Sequence, residues 1–407
     1  MMQAVIARMG AQGDAVAETA EGPLFAAYAL PGETVEGVRE KDRLKIERIV
    51  SASADRVAPV CRHFGICGGC LLQHWRSEPY RAWKRGLVVE ALAREGIAAP
   101  VVDLVDAHGA GRRRAIFHAR QYGARTVVGF AERKSHAMVQ LVECPVLAPG
   151  LRRALEAAQA VAGALAPLKK PLDLHVTATE TGLDLDVRGS GPLPPDLMMD
   201  LGALAETFDL ARLTRHGELV LQRAAPALTM GRARVELPPA SFLQATAKGE
   251  ETLATLALSV VGGAKRVADL FCGVGTFALR LAQTAQVSAF ESNAPAVAAM
   301  LRAAQSTAGL KGVEGEVRDL FRRPLSAQEL ARFDAVVIDP PRQGAEAQAH
   351  ELARSKVERL AYVSCSAVTF ARDARILGDG GFVLHAVTPV DQFRYSPHVE
   401  LVGVFGR

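Results

Sequence analysis

The hydrophobic pattern divides the chain into a strand-rich first half and a second half in which strands and helices alternate. Short apolar runs, each followed by an amphipathic stretch, begin at about residue 240. This alternation is typical of a doubly wound α/β sheet with helices on both faces. The expected strands are 266–271, 287–290, 335–338, 360–363, 382–387 and 399–405.

The first half predicts two further domains. Short strands separated by glycine and proline turns fill residues 1–52, which favours a small OB-like barrel, although a β-structure without a ligand fits equally well. Residues 53–235 contain a cysteine-rich loop, a helix at about 78–96 and an α+β stretch. Proline-rich linkers precede the last part, so we expect a catalytic domain over 236–407, with the early helix packed on it.

Composition excludes several classes of protein. Apolar residues make up 49% of the 407 residues and charged residues 23%, which excludes wholesale disorder. The net charge of +4 neither requires nor opposes a polyanionic partner. No apolar run approaches the roughly 18 residues of a membrane span, and no signal peptide is recognisable. We therefore expect a cytoplasmic monomer without membrane contact or an obligate protein partner.

A glycine loop follows the first strand of the α/β half. Gly273 and Gly275 lie between that strand and a helix, where the backbone must turn tightly around a ligand. The third glycine of a dinucleotide fingerprint is replaced by Phe277, and Glu291 ends the next strand, in position to bind two ribose hydroxyls. This combination favours S-adenosylmethionine over NAD, whereas a plain strand–helix turn is the simpler alternative.

Two later strands also end in chemically informative residues. Asp339 begins the segment Asp-Pro-Pro-Arg after one strand, and Cys365 follows the next. The carboxyl ends of strands line the ligand crevice of open α/β sheets, so both side chains are expected there. A buried structural cysteine is the usual alternative for Cys365. Its polar neighbours and its position favour a nucleophile.

Four of the six cysteines form a candidate metal site. Three lie within ten residues, which in a large cytosolic protein indicates metal binding or catalysis and not disulfides. The paired C-x2-C spacing of zinc ribbons is absent, and three close ligands plus a distant one fit an iron–sulfur cubane better than zinc. Cys272, inside the glycine loop, is expected to pack. The four candidate ligands are Cys61, Cys67, Cys70 and Cys144.

Together these motifs resemble the uridine-5-methyltransferase family of RNA-modifying enzymes over essentially the whole chain. Residues 29–35 look like its N-terminal TRAM domain, and 61–70 with 140–147 look like its cluster-binding module. Residues 241–245 and the C-terminal His-Val-Glu look like its methyltransferase half. The resemblance implies a Rossmann-like methyltransferase domain, a central 4Fe-4S domain and an RNA substrate, with 23S rRNA favoured because cluster-bearing members typically modify it.

The resemblance also implies roles for individual residues. Cys365 corresponds to the nucleophile that adds to carbon 6 of uracil, and Glu400 to the base that removes the proton from carbon 5. Two departures from the family pattern are Ser366-Ala367 after the cysteine and the loop 343–345. The positions that match S-adenosylmethionine contacts are Gln244, Phe271, Thr276, Glu291, Asp319 and Asp339, together with the loop glycines Gly273 and Gly275.

Alternative functions remain open at the level of sequence. A tRNA uridine-5-methyltransferase is the nearest alternative. A base N-methyltransferase is disfavoured because Arg342 replaces the stacking aromatic ring after Pro-Pro and because such enzymes need no nucleophilic cysteine. A non-catalytic RNA-binding iron–sulfur protein with an inactive methyltransferase fold is a further alternative. The target base must leave its stack to reach such a pocket, so single-stranded RNA suits it best. The run Arg112 to Arg114 is a candidate phosphate contact, although a solvated turn is the default.

Overall fold

The N-terminal residues form a six-stranded, mostly antiparallel sheet. The computed structural model describes residues 1–123, 125–135 and 137–407. Alternating apolar residues such as Leu24, Val35 and Leu44 face the interior of this sheet. In spatial order it runs β1-β5-β6-β4-β3-β2. Its strands are β1 Met2–Val5, β2 Arg8–Met9, β3 Ala15–Thr19, β4 Gly22–Ala26, β5 Thr34–Glu40 and β6 Arg43–Ser51.

A long helix links this sheet to the C-terminal half. Helix α1, Ser77–Arg94, buries Val88 and Leu92 in the same core as the C-terminal sheet. The short strand β7, Val105–Asp106, then pairs with the edge of that sheet. A chain segment from the first third of the sequence is thereby built into the C-terminal unit.

The central part is a seven-stranded sheet covered by two helices. Its order is β10-β9-β8-β11-β12-β13-β14, and a β-hairpin follows it. Helix α2 buries mainly alanines, whose small side chains let the helix lie close to the sheet. The elements are β8 Arg114–Tyr122, β9 Arg125–Ala131, β10 Met138–Gln140, α2 Ala154–Ala164, β11 Leu172–Thr179, β12 Gly182–Arg188, α3 Pro195–Thr207, β13 Leu210–Arg215, β14 Glu218–Gln222, and the hairpin β15 Ala227–Met230 and β16 Ala233–Glu236.

The C-terminal half is a doubly wound sheet in the order β19-β18-β17-β20-β21-β23-β22-β7. Strands β17 to β21 pair in parallel, and β23 inserts antiparallel between β21 and β22. Its elements are α4 Ala247–Val261, β17 Arg266–Leu270, α5 Ala278–Leu281, β18 Gln286–Glu291, α6 Ala294–Ser306, β19 Val313–Val317, α7 Ala327–Leu330, β20 Ala335–Ile338, α8 Glu346–Arg354, β21 Arg359–Ser364, α9 Ala367–Asp379, β22 Val383–Asp391 and β23 Glu400–Gly406.

The apolar runs identified most of this sheet. The exceptions are β19, whose sequence Val-Glu-Gly-Glu-Val is too polar to stand out, and β7, which is two residues long. Strand β22 also extends to Asp391, beyond the expected end at 387. None of the helices in the described ranges has both the length and the hydropathy of a membrane span.

Candidate active site

The candidate site residues lie in a row along one edge of the C-terminal sheet. Because β19, β18, β17, β20 and β21 are adjacent and parallel, the segments that follow them emerge at the same edge. The residues that follow these strands, in spatial order, are Asp319, Glu291, the 271–276 loop, Asp339 and Cys365. Residues up to 94 positions apart in the sequence, from Phe271 to Cys365, are thus brought to one edge of the sheet.

The glycine loop has a backbone that few side chains permit. Gly273 and Gly275 both have positive φ, at 54° and 97°, and Phe271 also adopts a left-handed conformation, with φ of 63°. A Cβ on Gly275 would lie 2.7 Å from Met300, so only glycine fits there. Thr276, at the end of the loop, is partly exposed. The loop therefore turns sharply and leaves backbone groups near the crevice.

Two carboxylates border the loop on the side of β18 and β19. Glu291 accepts hydrogen bonds from the backbone amides of Gly273 at 3.2 Å and Asn293 at 2.9 Å, which fixes its carboxylate beside the loop. Asp319 accepts from the backbone amide of Phe321 at 3.0 Å. The ring of Phe321 lies 5.2 Å from that of Phe271. This end of the crevice combines fixed carboxylates with aromatic faces, which suits a nucleoside.

Asp339 and Gln244 are hydrogen-bonded to each other in the middle of the row. The side-chain amide of Gln244 donates to Asp339 Oδ2 at 3.0 Å. Withdrawal from solvent raises the pKa of Asp339 to about 7, and the bond from Gln244 acts against this rise. This carboxyl group therefore changes charge near neutral pH, which is common at functional sites.

Cys365 and Glu400 come from neighbouring antiparallel strands. Ser364, the last residue of β21, pairs with Leu401 of β23, so Cys365 follows β21 at the point where Glu400 begins β23. Glu400 is buried, with 4% of its surface exposed, whereas Cys365 is half-buried. The arrangement places a thiol and a carboxyl group together beyond Asp339.

Burial and mutual repulsion raise the pKa values of both groups. Burial, together with the carboxylate of Asp339, raises the pKa of Glu400 to about 8. Burial, together with Glu400 and Asp339, raises the pKa of the Cys365 thiol to about 11, while Arg342 acts in the opposite direction. A carboxyl group that ionises near pH 8 is a strong proton acceptor by the standards of glutamate.

The two departures from the family pattern have structural explanations. Ser366 is the N-cap of α9, where its hydroxyl accepts from the Thr369 backbone amide at 3.4 Å; serine serves this role as well as asparagine or aspartate. In the 343–345 loop, Gly344 has φ of 77° and leaves no room for a Cβ beside Asp373. Asp373 accepts from the Ala345 backbone amide at 2.7 Å, which anchors the loop.

The four candidate cluster cysteines line one cavity of about 740 Å³. Burial, with repulsion from the other three cysteines, raises the pKa of Cys144 to about 12, while a hydrogen bond from the Val146 backbone amide lowers it. The backbone amide of Gly69 donates to the sulfur of Cys67 at 3.4 Å. Amide donors of this kind suit a sulfur that carries negative charge.

The same cavity does not have the geometry of a site for a single ion. Within the described residues, no group of three or more His, Cys, Asp or Glu side chains is close enough together to hold one metal ion. The cysteines therefore converge on one space without meeting at one point. Cys272 lies elsewhere, buried in the core beneath the glycine loop.

The expectation for the arginine run is wrong for its middle residue. Arg113 is buried and paired with Glu250, which also binds Arg280 at 2.9 Å. It cannot contact phosphate, because the fold uses its charge to neutralise a buried carboxylate. Arg112 and Arg114 remain on the wall of the cysteine cavity, with Arg112 stacked 5.4 Å from the Phe393 ring.

Two buried residues of this edge were not identified from the sequence. Gln392 lies in the loop before Glu400 and bonds to Gln244 at 2.7 Å. Asp269 is fully buried in β17 and neither of its carboxyl oxygens has a hydrogen-bond partner within the described chain. Burial raises its pKa well above the usual range. A glutamine in a loop carries no sequence signal of this role, whereas Asp269 directly precedes the motif that was recognised.

Comparison with protein families gives a match over the C-terminal half. Residues 231–406 match the model of the tRNA (uracil-5-)-methyltransferase family. An uncharacterized RNA methyltransferase of Brucella suis is 48% identical over 402 residues, which cover 99% of this chain and 97% of the relative. The 23S rRNA (uracil(1939)-C(5))-methyltransferase RlmD of Halomonas elongata is 34% identical over 426 residues, covering 97% of this chain and 87% of the relative.

A solved structure shares the whole fold. The tRNA (uracil-54, C5)-methyltransferase of Pyrococcus abyssi, solved in complex with S-adenosyl-L-homocysteine, superposes with a TM-score of 0.76. The alignment covers 99% of each chain at 22% identity, a level at which the likeness concerns the fold.

Proposed function

Because the chain belongs to the family of S-adenosylmethionine-dependent RNA (uracil-5-)-methyltransferases, we propose that it methylates carbon 5 of one uridine in 23S rRNA. The observation that carries this proposal is the continuous row from the carboxylates of Asp319 and Glu291 to the pair Cys365 and Glu400. One end of the row suits a nucleoside cofactor, and the other end suits covalent chemistry on a base.

In the first step, Cys365 acts in its thiolate form. Its sulfur forms a bond to carbon 6 of uracil, and the electron pair of the 5,6 double bond moves into an enolate. Carbon 5 of uracil is a poor nucleophile, and this addition makes it electron-rich enough to react. The raised pKa of the Cys365 thiol means that attack requires loss of its proton, which disfavours reaction at low pH.

In the second step, the enolate electron pair at carbon 5 forms a bond to the electrophilic methyl group that S-adenosylmethionine would supply, and the methyl–sulfur bond breaks to leave the thioether S-adenosylhomocysteine. The contribution of the chain is to hold the two reactants in the crevice. In our proposal Glu291 binds the ribose, and Phe271 and Asp319 border the adenine end. The loop residues Gly273, Gly275 and Thr276 let the backbone come close to the cofactor. Gln244 and Asp339 lie between the two reactants.

In the last step, Glu400 removes the proton that remains on carbon 5. The electron pair of that C–H bond re-forms the 5,6 double bond, and the Cys365 thiolate leaves carbon 6. A carboxylate that prefers to hold a proton below about pH 8 is suited to this abstraction. The proton on Glu400 then returns to the thiolate or to solvent, which regenerates the site.

The choice of 23S rRNA over tRNA rests on two features. The Halomonas elongata relative, which matches almost the whole chain, is named for uracil 1939 of 23S rRNA. The chain also has the four cysteines that cluster-bearing members of the family use, and these typically act on large-subunit rRNA. The alternative is a tRNA substrate, as in the Pyrococcus abyssi enzyme of the same fold.

A 4Fe-4S cluster is part of this proposal. Cys61, Cys67, Cys70 and Cys144 would hold it in the 740 Å³ cavity. The paired C-x2-C spacing of zinc ribbons is absent from the sequence, and three close cysteines plus a distant one favour a cluster over zinc. Its contribution when bound is to tie the loop 61–70 to the central sheet.

The remaining expectations belong to the same proposal. Residues 1–52 would act as a TRAM-like, OB-like RNA-holding domain, 53–235 as the iron–sulfur domain and 236–407 as the methyltransferase domain. Arg112 and Arg114 would contact phosphates of a single-stranded RNA whose target base is flipped into the crevice. This organisation is compatible with a cytoplasmic monomer.

An RNA substrate that contains 5-fluorouridine at the target position tests the proposed chemistry. Fluorine cannot leave as a proton, so addition and methyl transfer should leave the protein covalently attached to RNA. We expect a shifted band that survives denaturation and is absent in Cys365→Ala. The RNA in this adduct should carry the methyl group only when S-adenosylmethionine is supplied. Methyl transfer to ordinary RNA without any adduct on the fluorinated RNA would exclude the carbon 5 mechanism and favour an N-methyltransferase.

The same experiment separates the substrates. Fragments of 23S rRNA and total tRNA are supplied in parallel, and the methylated uridine is mapped in each. Methylation of tRNA alone would overturn the rRNA assignment but leave the chemistry intact. Absence of both adduct and methylation, with RNA still bound, would favour a non-catalytic RNA-binding protein.

A further inference from the structure

Gln392 is a buried polar residue at the centre of the candidate active site. Only 1% of its surface is exposed, and it lies between Asp391, the last residue of β22, and the loop that leads to Glu400. A buried amide is costly unless its donors and acceptor are satisfied. The partners of Gln392 therefore indicate its role.

Three hydrogen bonds connect the start of α4 to Asp339 through two glutamines. The Thr246 backbone amide donates to Gln392 Oε1 at 3.3 Å, and Gln392 Nε2 donates to Gln244 Oε1 at 2.7 Å. Gln244 Nε2 in turn donates to Asp339 Oδ2 at 3.0 Å. We name this sequence of bonds the amide relay.

The first residue of the amide relay is held in place by its own helix. Thr246 is the N-cap of α4, where its hydroxyl accepts from the Gly249 backbone amide at 2.8 Å and donates to the carbonyl of Ala107 at 2.6 Å. A Cβ on Gly249 would lie 2.5 Å from Gln392 Oε1, so the close approach of Gln392 requires glycine there. The surroundings of Gln392 are thus built for its amide.

The direction of the amide relay is fixed by its first bond. A backbone N–H can only donate, so the oxygen of Gln392 must face Thr246 and its NH2 group must face Gln244. The oxygen of Gln244 then faces Gln392, which leaves the NH2 group of Gln244 for Asp339. Reversal of the Gln392 amide would bring its oxygen against that of Gln244, and reversal of the Gln244 amide would leave Asp339 without a donor.

Gln392 also lies beside the second carboxyl group of the site. Its amide lowers the pKa of Glu400 and so acts against burial and against the charge of Asp339. The charged group on another element that faces Glu400 is Lys84 of α1, which also lowers the pKa, and the Cys365 thiol lies on the neighbouring strand. Gln392 thus has two effects: it bonds to Gln244, and it favours the ionised form of Glu400.

We propose that Gln392 is a positioning residue for the reaction proposed above. Its amide fixes the orientation of Gln244, whose NH2 group then donates to Asp339. Gln392 acts on the reaction through these two side chains. This inference rests on the proposed function.

Two near-isosteric substitutions test this role through the pH profile of methyl transfer. Gln392→Met keeps the volume and removes the donors, and Gln392→Glu keeps the shape but adds a third carboxyl group. We expect the rate under single-turnover conditions at pH 7 to fall about 10-fold in Gln392→Met and further in Gln392→Glu. The rising limb of the pH profile should move to higher pH by about one unit, because one unit of pKa is a tenfold change in ionisation.

A matched control separates this role from ordinary core packing. Gln348 is equally buried, at 1% exposure, and bonds only to the backbone of Leu325, at 2.8 and 3.0 Å. Gln348→Met should leave the pH profile in place even if it lowers the melting temperature. An unshifted profile in Gln392→Met would overturn the proposal.

Further arms keep the test decisive if one variant does not fold. Gly249→Ala pushes on Gln392 while its amide remains, and should shift the profile in the same direction. The covalent adduct of the wild-type protein with 5-fluorouridine RNA is measured alongside. If the wild type forms no adduct, the proposed function fails; if it forms one and neither variant shifts the profile, only the role of Gln392 fails.

Discussion

Lys84 donates a hydrogen bond to the carboxylate of Asp391 at 2.6 Å, although 307 positions separate the two residues in the sequence. Lys84 is completely buried in α1, and Asp391 ends β22, directly before the loop to Glu400. The hydroxyl of Tyr80 donates to the other oxygen of Asp391 at 2.7 Å. The helix from the first third of the chain therefore anchors the loop that carries the candidate base.

Replacement of Lys84 by methionine is expected to destabilise the protein by about 3 kcal/mol, since removal of one partner leaves a buried charge uncompensated. Burial lowers the pKa of Lys84 to about 8, and Asp391 acts against this change. Denaturant unfolding at pH 7 measures the loss. The double variant Lys84→Met with Asp391→Asn should recover part of it, because no unpaired charge then remains.

An ion pair on the same helix provides the control. Arg94 and Glu90 are paired at 3.6 Å, but both side chains are more than 60% exposed. Arg94→Met should change the free energy of unfolding by less than about 0.5 kcal/mol. Equal effects of the two substitutions would mean that the contact between Lys84 and Asp391 does not anchor the loop.

Glu400→Gln is expected to stabilise the protein at alkaline pH. The pKa of Glu400 is raised to about 8 from 4.5, so the folded state favours the neutral form. Its contribution to stability is complete below pH 4.5 and is lost as pH rises through 8. Above pH 8 the variant should therefore exceed the wild type by on the order of 1–3 kcal/mol, measured by denaturant unfolding across the pH range.

Glu329 is a control with the opposite sign. A hydrogen bond from Arg318 lowers its pKa to about 2, so its stabilising contribution is present above pH 4.5 and is lost as pH falls through about 2. Glu329→Gln should thus be slightly less stable than the wild type at neutral pH and equal to it in strong acid. A stability gain of Glu400→Gln that does not change with pH would contradict the burial of an ionisable group.

The same Glu400→Gln variant should accumulate a covalent RNA adduct with ordinary uridine. Addition of Cys365 and methyl transfer do not need the base, whereas release of the enzyme does. A denaturing gel with radiolabelled RNA should reveal a band that is absent in the wild type and in the double variant with Cys365→Ala. Free methylated RNA at the wild-type rate would show that another group removes the proton.

The sequence predicted the reaction class and the C-terminal sheet because their signals are local. Each strand end, the glycine loop and the segments around Asp339 and Cys365 are short continuous stretches of sequence. The comparisons confirm the predicted family and the α/β methyltransferase fold. The polar strand β19 and the two-residue strand β7 were missed since neither has a hydrophobic pattern of its own.

The contacts that position the site could not be predicted from the sequence. Lys84 and Gln392 are ordinary polar residues in sequence, and only the fold brings them to Asp391 and Gln244. For Arg113 the sequence was misleading, because its basic neighbours suggested a solvated or RNA-binding run. The fold instead buries Arg113 against Glu250. The roles of the cysteines in metal binding and of Glu400 in catalysis stay predictions.

The cysteine cavity leads to a final prediction because its wall is joined to the loop 393–398, which leads to Glu400. The backbone amides of Leu71 and Leu72, directly after Cys70, donate to the carbonyl of Tyr395 at 2.8 and 3.2 Å. Anaerobically purified protein should be brown, absorb near ~400 nm and contain about four iron atoms per chain. Cys144→Ser should lose most of this iron, whereas Cys365→Ala, which changes a cysteine outside the cavity, should keep it.

Loss of the cluster should also loosen the loop 393–398. Once Cys70 is no longer held, the hydrogen bonds from the Leu71 and Leu72 amides to the Tyr395 carbonyl should weaken, whereas the bonds that Tyr80 and Lys84 make to this loop remain. Hydrogen exchange of the loop should therefore become faster in Cys144→Ser than in Cys365→Ala. The free energy of unfolding should fall in the same variant, since a resident group that binds only the folded state stabilises it. Colourless wild-type protein with one zinc ion per chain would contradict the cluster. Unchanged hydrogen exchange at Tyr395 after iron loss would contradict the link between the cavity and the loop 393–398.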